Sequence, residues 1–107
     1  MRTMSKSPST IDKLPPVHPG DILKETLADF GLSMNQLAQE IRVPPNRVSA
    51  IVSGKRSITG ETALRLARYF GTTPGYWMNL QTLYDLESAR DAWEAKVRSE
   101  VRPRSAA

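Results

Sequence analysis

The sequence has no cysteine and a single histidine, His18. The missing thiols exclude a disulfide framework, thiol catalysis and thiolate zinc sites. One imidazole leaves little for metal binding or for acid–base chemistry near neutral pH. No apolar run approaches the ~20 residues of a membrane span, and the opening MRTMSKSPST lacks the apolar region of a secretory signal. Strand-like alternation, internal repeats and glycine-rich phosphate loops are absent as well. The 107 residues match the size of one small domain with a modest core. Together these absences set the expectation of a cytoplasmic domain that is not an enzyme, carries no metal or cofactor, and has no membrane partner.

What the sequence does hold is localised positive charge. The formal net charge is +4, and it is unevenly spread. Residues 42–68 carry Arg42, Arg47, Lys55, Arg56, Arg65 and Arg68 against Glu61 alone, a local +5, whereas residues 1–41 sum to −1 and residues 69–107 to zero. A patch of this kind points to a polyanion partner more strongly than uniform basicity does. At this level an ordinary solvated helix face reads the same way, so the architecture of the window has to decide.

Proline, glycine and capping residues divide the chain into five predicted helices. Residues 1–16 are polar, rich in serine and proline, and aperiodic, and read as a flexible N-terminal arm. Pro19 suits a first helical position, Ile22, Leu23, Leu27 and Phe30 recur at helical spacing, and Gly31 supplies a left-handed stop, which predicts a first helix over 19–30. The neighbouring His18 reads as a structural or capping residue rather than a ligand. Ser33 with Gln36 three residues on forms a capping box, flanked by the staple pair Leu32 and Leu37, and starts a second helix over 34–41. In Pro44-Pro45 each proline pushes its predecessor out of the α region, so the second helix must end by Arg42 and Pro45 opens a third, running to Val52. Thr59 caps a fourth helix over 60–70, with Ala63, Leu64, Ala67 and Phe70 as its apolar stripe. Thr73-Pro74 starts a fifth that continues through Trp77 as far as Val101. The fold class is all-α.

The second and third helices are about eight residues each and joined by a turn too short for an antiparallel hairpin, so they must cross steeply, at ~90–120°. Ala38 provides the small residue at the crossing, and Leu37, Ile41, Val48 and Ile51 seal it. The third helix then turns outward Pro45, Asn46, Arg47, Ser49, Ala50 and Ser53, a short, polar face suited to the major groove. Asn46 has the chemistry to read adenine, and Arg47 to read guanine or clamp a phosphate. Lys55 and Arg56 follow on a basic loop suited to phosphate. Helix N-termini favour anions, which adds Ser33, Asn35 and Gln36 at the start of the second helix and Thr59 at the start of the fourth. Phosphate contacts fix position and base contacts fix sequence, and this window offers candidates for both.

These residues carry a family resemblance. The segment LSMNQLAQEIRVPPNRVSAIVSGKRSIT resembles the helix-turn-helix of the Xre/lambda-repressor-like family. His18-Pro19-Gly20-Asp21-Ile22-Leu23 resembles the HPGEIL opening of HigA-type (VapI-like) antitoxins, and GTTPGYWMNLQ at 71–81 is similar to their GTSPEFWLNLQ. The resemblance covers roughly residues 15–90. The resemblance implies a five-helix lambda-repressor-like fold with a C-terminal helical extension. It also implies an antidote that binds a HigB-type mRNA-cleaving toxin and represses its own operon as a homodimer on a palindromic double-stranded DNA operator. Two positions depart from the pattern: Arg42 stands where the turn usually has a glycine at positive φ, a substitution costing ~1 kcal/mol if that conformation is kept, and Met34 stands where related repressors often have glutamine.

Three further expectations complete the reading. Trp77, Leu80 and Tyr84 are most simply core, while the fifth helix, through Tyr76, Leu80, Leu83, Leu86 and Arg90, is the candidate dimer surface. The organisation is an arm over 1–16, a helix-turn-helix domain over 17–90, and a C-terminal helix extension and tail over 91–107. Two alternatives stay open beside the operator-binding antitoxin: a stand-alone Xre-family repressor without a toxin, and a mainly toxin-binding protein with weak DNA binding.

Overall fold

The computed structural model describes residues 14–105, and it begins with an extended segment that reaches the first helix at a histidine cap. His18 is extended, and its Nδ1 accepts the backbone N–H of Gly20 at 2.8 Å, while Pro19 takes the first helical position and needs no N–H partner there. Helix α1 runs Pro19–Phe30. Helix α2, Met34–Ile41, starts on the reciprocal capping box: Ser33 Oγ accepts from Gln36 N at 3.1 Å and Gln36 Oε1 accepts from Ser33 N at 2.8 Å. Helix α3, Pro45–Val52, has Pro44 as its extended N-cap, with no side-chain cap bond. Helix α4, Gly60–Phe70, is capped by Thr59, and α5, Pro74–Glu100, by Thr73, each hydroxyl accepting a backbone N–H of the first turn. The described residues contain no strand, and all five predicted helices are present. The arm expected over 1–16 lies outside the described residues up to residue 13, as do residues 106 and 107.

One core joins the helices. Leu23 and Leu27 of α1, Leu37, Ala38 and Ile41 of α2, Val48 and Ile51 of α3, Ala63, Leu66 and Ala67 of α4, and Trp77 of α5 are all buried, together with Val43 and Ile58 from the connections. Ala38 has no exposed surface, as the steep α2–α3 crossing requires. Gly20 serves a second close approach, since a Cβ there would overlap the carbonyl of Ile51 at the end of α3. The Trp77 indole donates to Thr72 Oγ1 at 2.9 Å, so a large buried ring leaves no polar atom stranded.

Three details differ from the sequence reading. Leu64, placed in the apolar stripe of α4, is 61% exposed, and Phe30, placed in that of α1, is 59% exposed. Both stand at the edge of a stripe whose centre is already filled, Leu64 beside Ala63 and Leu66, and Phe30 at the last turn of α1, where its ring meets that of Phe70 edge-on at 5.0 Å. Tyr84, expected as core, is half-buried and packs edge-on against His18 at 4.7 Å. The unexpected core member is Gln81. It is 4% exposed, its Oε1 accepts the backbone N–H of Ile58 at 2.7 Å, and its amide donates to Asp85 at 2.8 Å. An amide there satisfies the buried connection between α3 and α4, which would otherwise strand a donor at a cost of about 1–3 kcal/mol.

The boundary drawn at residues 90 and 91 falls inside an unbroken helix. Helix α5 has 27 residues, about 40 Å of rise, and every residue from 89 to its end is exposed.

Candidate DNA-binding face

The turn between α2 and α3 sets the site. Arg42 adopts the left-handed conformation, φ 62° and ψ 47°, the one non-glycine among the described residues at positive φ. The turn the sequence makes without glycine therefore keeps the left-handed geometry. Its backbone is tied down: Arg42 N bonds to Gln39 O at 3.3 Å and Val43 N to Ala38 O at 3.0 Å. A side chain from α4 completes it, because Arg65 Nη1 donates to Ile41 O at 2.9 Å, taking up a carbonyl at the C-terminal end of α2.

From that turn, α3 buries Val48 and Ile51 and presents Asn46 to solvent, with Ser49 and Ala50 half-buried. The serine hydroxyls fold back on their own helix, Ser49 Oγ to Asn46 O at 3.2 Å and Ser53 Oγ to Ala50 O at 3.1 Å. Folded back in this way, they keep the face low, so that a helix backbone can approach base edges. The exit from α3 is a tight loop in which Lys55 N and Arg56 N both bond to Ala50 O, at 2.9 and 3.2 Å, while Lys55, Arg56 and Ser57 are exposed. Pro45, Asn46, Ser49 and Ala50 thus share one helix, with Ser53 as its C-cap and Lys55 and Arg56 on the loop immediately after it. Ser33, Asn35 and Gln36 are exposed at the start of α2, and Thr59 at the start of α4. Gln36 already spends its Oε1 on the capping box.

Arg47 is placed differently from the outward reader expected. Its side chain is 19% exposed and lies toward α4, where Nη1 meets Glu61 Oε1 at 3.2 Å. Its Nε is buried with no hydrogen-bond partner. The other oxygen of Glu61 accepts from Arg65 Nε at 3.1 Å and lies 3.1 Å from Arg65 Nη2. A continuous chain of contacts therefore runs from Arg47 on α3 through Glu61 and Arg65 on α4 to Ile41 at the end of α2. The Arg65 hydrogen bond, with the charges of Arg47 and Arg65 behind it, holds the Glu61 carboxyl below the usual glutamate range. In the sequence Glu61 stands out as the lone acid of the basic window and as a first-turn residue of the fourth helix, with no partner assigned. That isolation was the signal available, since a single carboxylate among six bases has several partners within reach.

On α5, Tyr76, Leu83, Leu86 and Arg90 are exposed, while Leu80 is partly used by the chain's own core. Beyond them Trp93, Val97 and Val101 extend the exposed apolar stripe, at 55%, 50% and 61%. Among the described residues no cluster of His, Asp or Glu is arranged to hold a metal ion, and no helix is long and apolar enough to cross a membrane.

Known proteins share this fold. Residues 23–77 match the helix-turn-helix family. Virulence-associated protein I of Dichelobacter nodosus is 47% identical over 83 residues, covering 77% of each chain. Among solved structures, an addiction module antidote protein of the HigA family from Coxiella burnetii superposes with a TM-score of 0.83 at 50% identity, over 85% of this chain and 100% of that one. The Pseudomonas aeruginosa antitoxin HigA, solved with the higBA promoter, superposes with a TM-score of 0.80 at 40% identity, over 82% of this chain and 97% of that one.

Proposed function

The chain belongs to the helix-turn-helix family and groups with its HigA members, and from that premise we propose that it is a sequence-specific operator-binding repressor that also serves as the antitoxin of a HigB-type toxin. The observation that carries the DNA-binding half is the α3 face, which is short, polar and low, flanked by the exposed Lys55 and Arg56 and carried on the same helix pair as in a relative solved on promoter DNA. Asn46 is its base reader. Lys55 and Arg56 are its phosphate contacts, and the N-termini of α2 and α4, where Ser33, Asn35, Gln36 and Thr59 stand, add the positive ends of their helix dipoles for phosphate. The antitoxin half rests on the likeness to the Coxiella antidote protein.

The chain acts as a homodimer through the exposed face of α5 formed by Tyr76, Leu83, Leu86 and Arg90, with Leu80 at its edge. Two-fold symmetry sets the α3 helices in successive major grooves about 34–36 Å apart. It acts in the cytoplasm and without catalysis. A groove of about 460 Å³ brings Glu40 together with Arg42, Arg65, Arg68, Leu64 and Tyr69, which supplies no nucleophile with an adjacent base.

A gel-shift titration against the DNA upstream of the chain's own gene, with scrambled competitor at two salt concentrations, tests the reading. Discrimination of ~10³-fold or more is expected. Sequence-indifferent binding that collapses with salt would overturn operator recognition and leave the protein-binding role alone.

A further inference from the structure

The basic window has one acid, and the structure puts that acid to use. Glu61 stands in the first turn of α4, and its exposed carboxylate touches Arg47 with one oxygen and Arg65 with the other. This is an anion at a helix N-terminus between two guanidinium groups, which is also the arrangement a DNA phosphate favours. Glu61 therefore fills from within a position that suits a phosphate from without. The pair also goes with a particular placement of Arg47. Its side chain lies over toward α4 rather than into solvent, and its Nε is buried with no partner. A buried, unpartnered donor on a charged group is unfavourable, so this resting position is held by the ion pair rather than by full satisfaction of the guanidinium.

Resting on the DNA-binding reading above, we propose that Glu61 is a specificity-determining residue, an internal stand-in for phosphate that withholds Arg47 from sequence-independent attraction to DNA. On arbitrary DNA nothing pulls α3 close enough to break the pair, so the guanidinium contributes no phosphate contact. On the operator, Asn46 and its neighbours seat α3 in the groove, a phosphate is brought against the first turns of α3 and α4, and Arg47 exchanges the carboxylate for it. Weak binding to the many wrong sequences is thereby lowered more than binding to the right one. Arg65 acts as the anchor, because its bonds to both Glu61 and Ile41 O keep the carboxylate beside α3.

The test compares the full-length chain with Glu61→Gln, Glu61→Asp and the double variant Arg47→Ala/Glu61→Gln. Each is titrated by fluorescence anisotropy against an operator duplex and a scrambled duplex of equal length, over a series of salt concentrations. Freeing one phosphate contact should tighten Glu61→Gln on the scrambled duplex about three- to tenfold and steepen its salt slope by about one unit. The ratio of operator to scrambled affinity should narrow, Glu61→Asp should restore it, and removing Arg47 from the Gln variant should return the slope to the wild-type value. Should Glu61→Gln melt below the assay temperature, Glu61→Ala reads the same quantity with a good helix former in place. An unchanged slope on scrambled DNA, or equal weakening on both duplexes, would overturn the proposal while leaving operator recognition intact, because the network would then be a structural brace only. A wild-type chain that does not discriminate operator from scrambled DNA would overturn both readings together.

Discussion

The helix-turn-helix unit of α2 and α3 and the outer half of α5 are both α-helical throughout, and they are held by different forces. Each helix of the unit has only eight residues, too few to persist alone in water. They exist because Leu37, Ala38, Ile41, Val48 and Ile51 are buried between them and against their neighbours. The outer half of α5 is exposed at every position from residue 89 on. It continues a helix already nucleated by its packed inner half at Trp77 and Gln81, and it adds local pairs such as Lys96–Glu100 at 3.9 Å and Lys96 over the Trp93 ring at 5.7 Å. The difference teaches where function can be placed. A face built on buried packing is rigid enough to read base edges, whereas the exposed stripe of Leu83, Leu86, Trp93 and Val97 is cover for the partner chain proposed above.

Two tryptophans on the same helix give the sharpest break of that comparison. Trp77→Ala is expected to lose about 3–5 kcal/mol in urea unfolding, because a fully buried ring and its bond to Thr72 both go. Trp93→Ala, measured where the chain is monomeric, should change stability by less than about 0.5 kcal/mol. Equal losses would mean that the outer half is packed in solution. A smaller effect, opposite in sign, belongs to the turn. Arg42→Gly should raise stability by roughly 1 kcal/mol, visible as a higher Tm, since glycine takes the left-handed conformation without a Cβ penalty. No gain would mean that the contacts of the Arg42 side chain offset the strain.

The smallest effect concerns Glu61. Its carboxyl is held below the ordinary glutamate range by Arg65 and Arg47. A lowered folded-state pKa stabilises the fold above the unfolded value of ~4.3, and that contribution fades as pH falls through the folded value. The melting difference between wild type and Glu61→Gln should therefore be present in full at pH 6 and fade as pH falls below the ordinary glutamate value, through the lowered folded one. The pair is exposed, so the difference is modest and shrinks with salt.

Much of this architecture was legible in the chain, for reasons that can be named residue by residue. Caps and breakers act within four or five residues, so Pro19, the Ser33–Gln36 box, Pro44-Pro45, Thr59 and Thr73-Pro74 placed the helix starts that the structure has. The outward chemistry of α3 was legible too, because Val48 and Ile51 had to face the core and left Asn46, Ser49 and Ser53 on the other side. Arg47 was not. Its position depends on Glu61, 14 residues away on another helix, and no local rule couples the two. Gln81 was invisible for the same reason, its partner Ile58 being 23 residues distant.

The all-α class, the helix boundaries and the location of the basic window were already set in the chain, because each follows from backbone sterics or from charge counted along it. Tertiary structure alone decided which large side chains stay outside at the edges of their stripes, as Phe30 and Leu64 do, and that Gln81 closes the core. It also decided that the lone acid of the basic window restrains the arginine expected to read DNA. Burial and ion pairing depend on distances in space, and those exist only once the helices have packed.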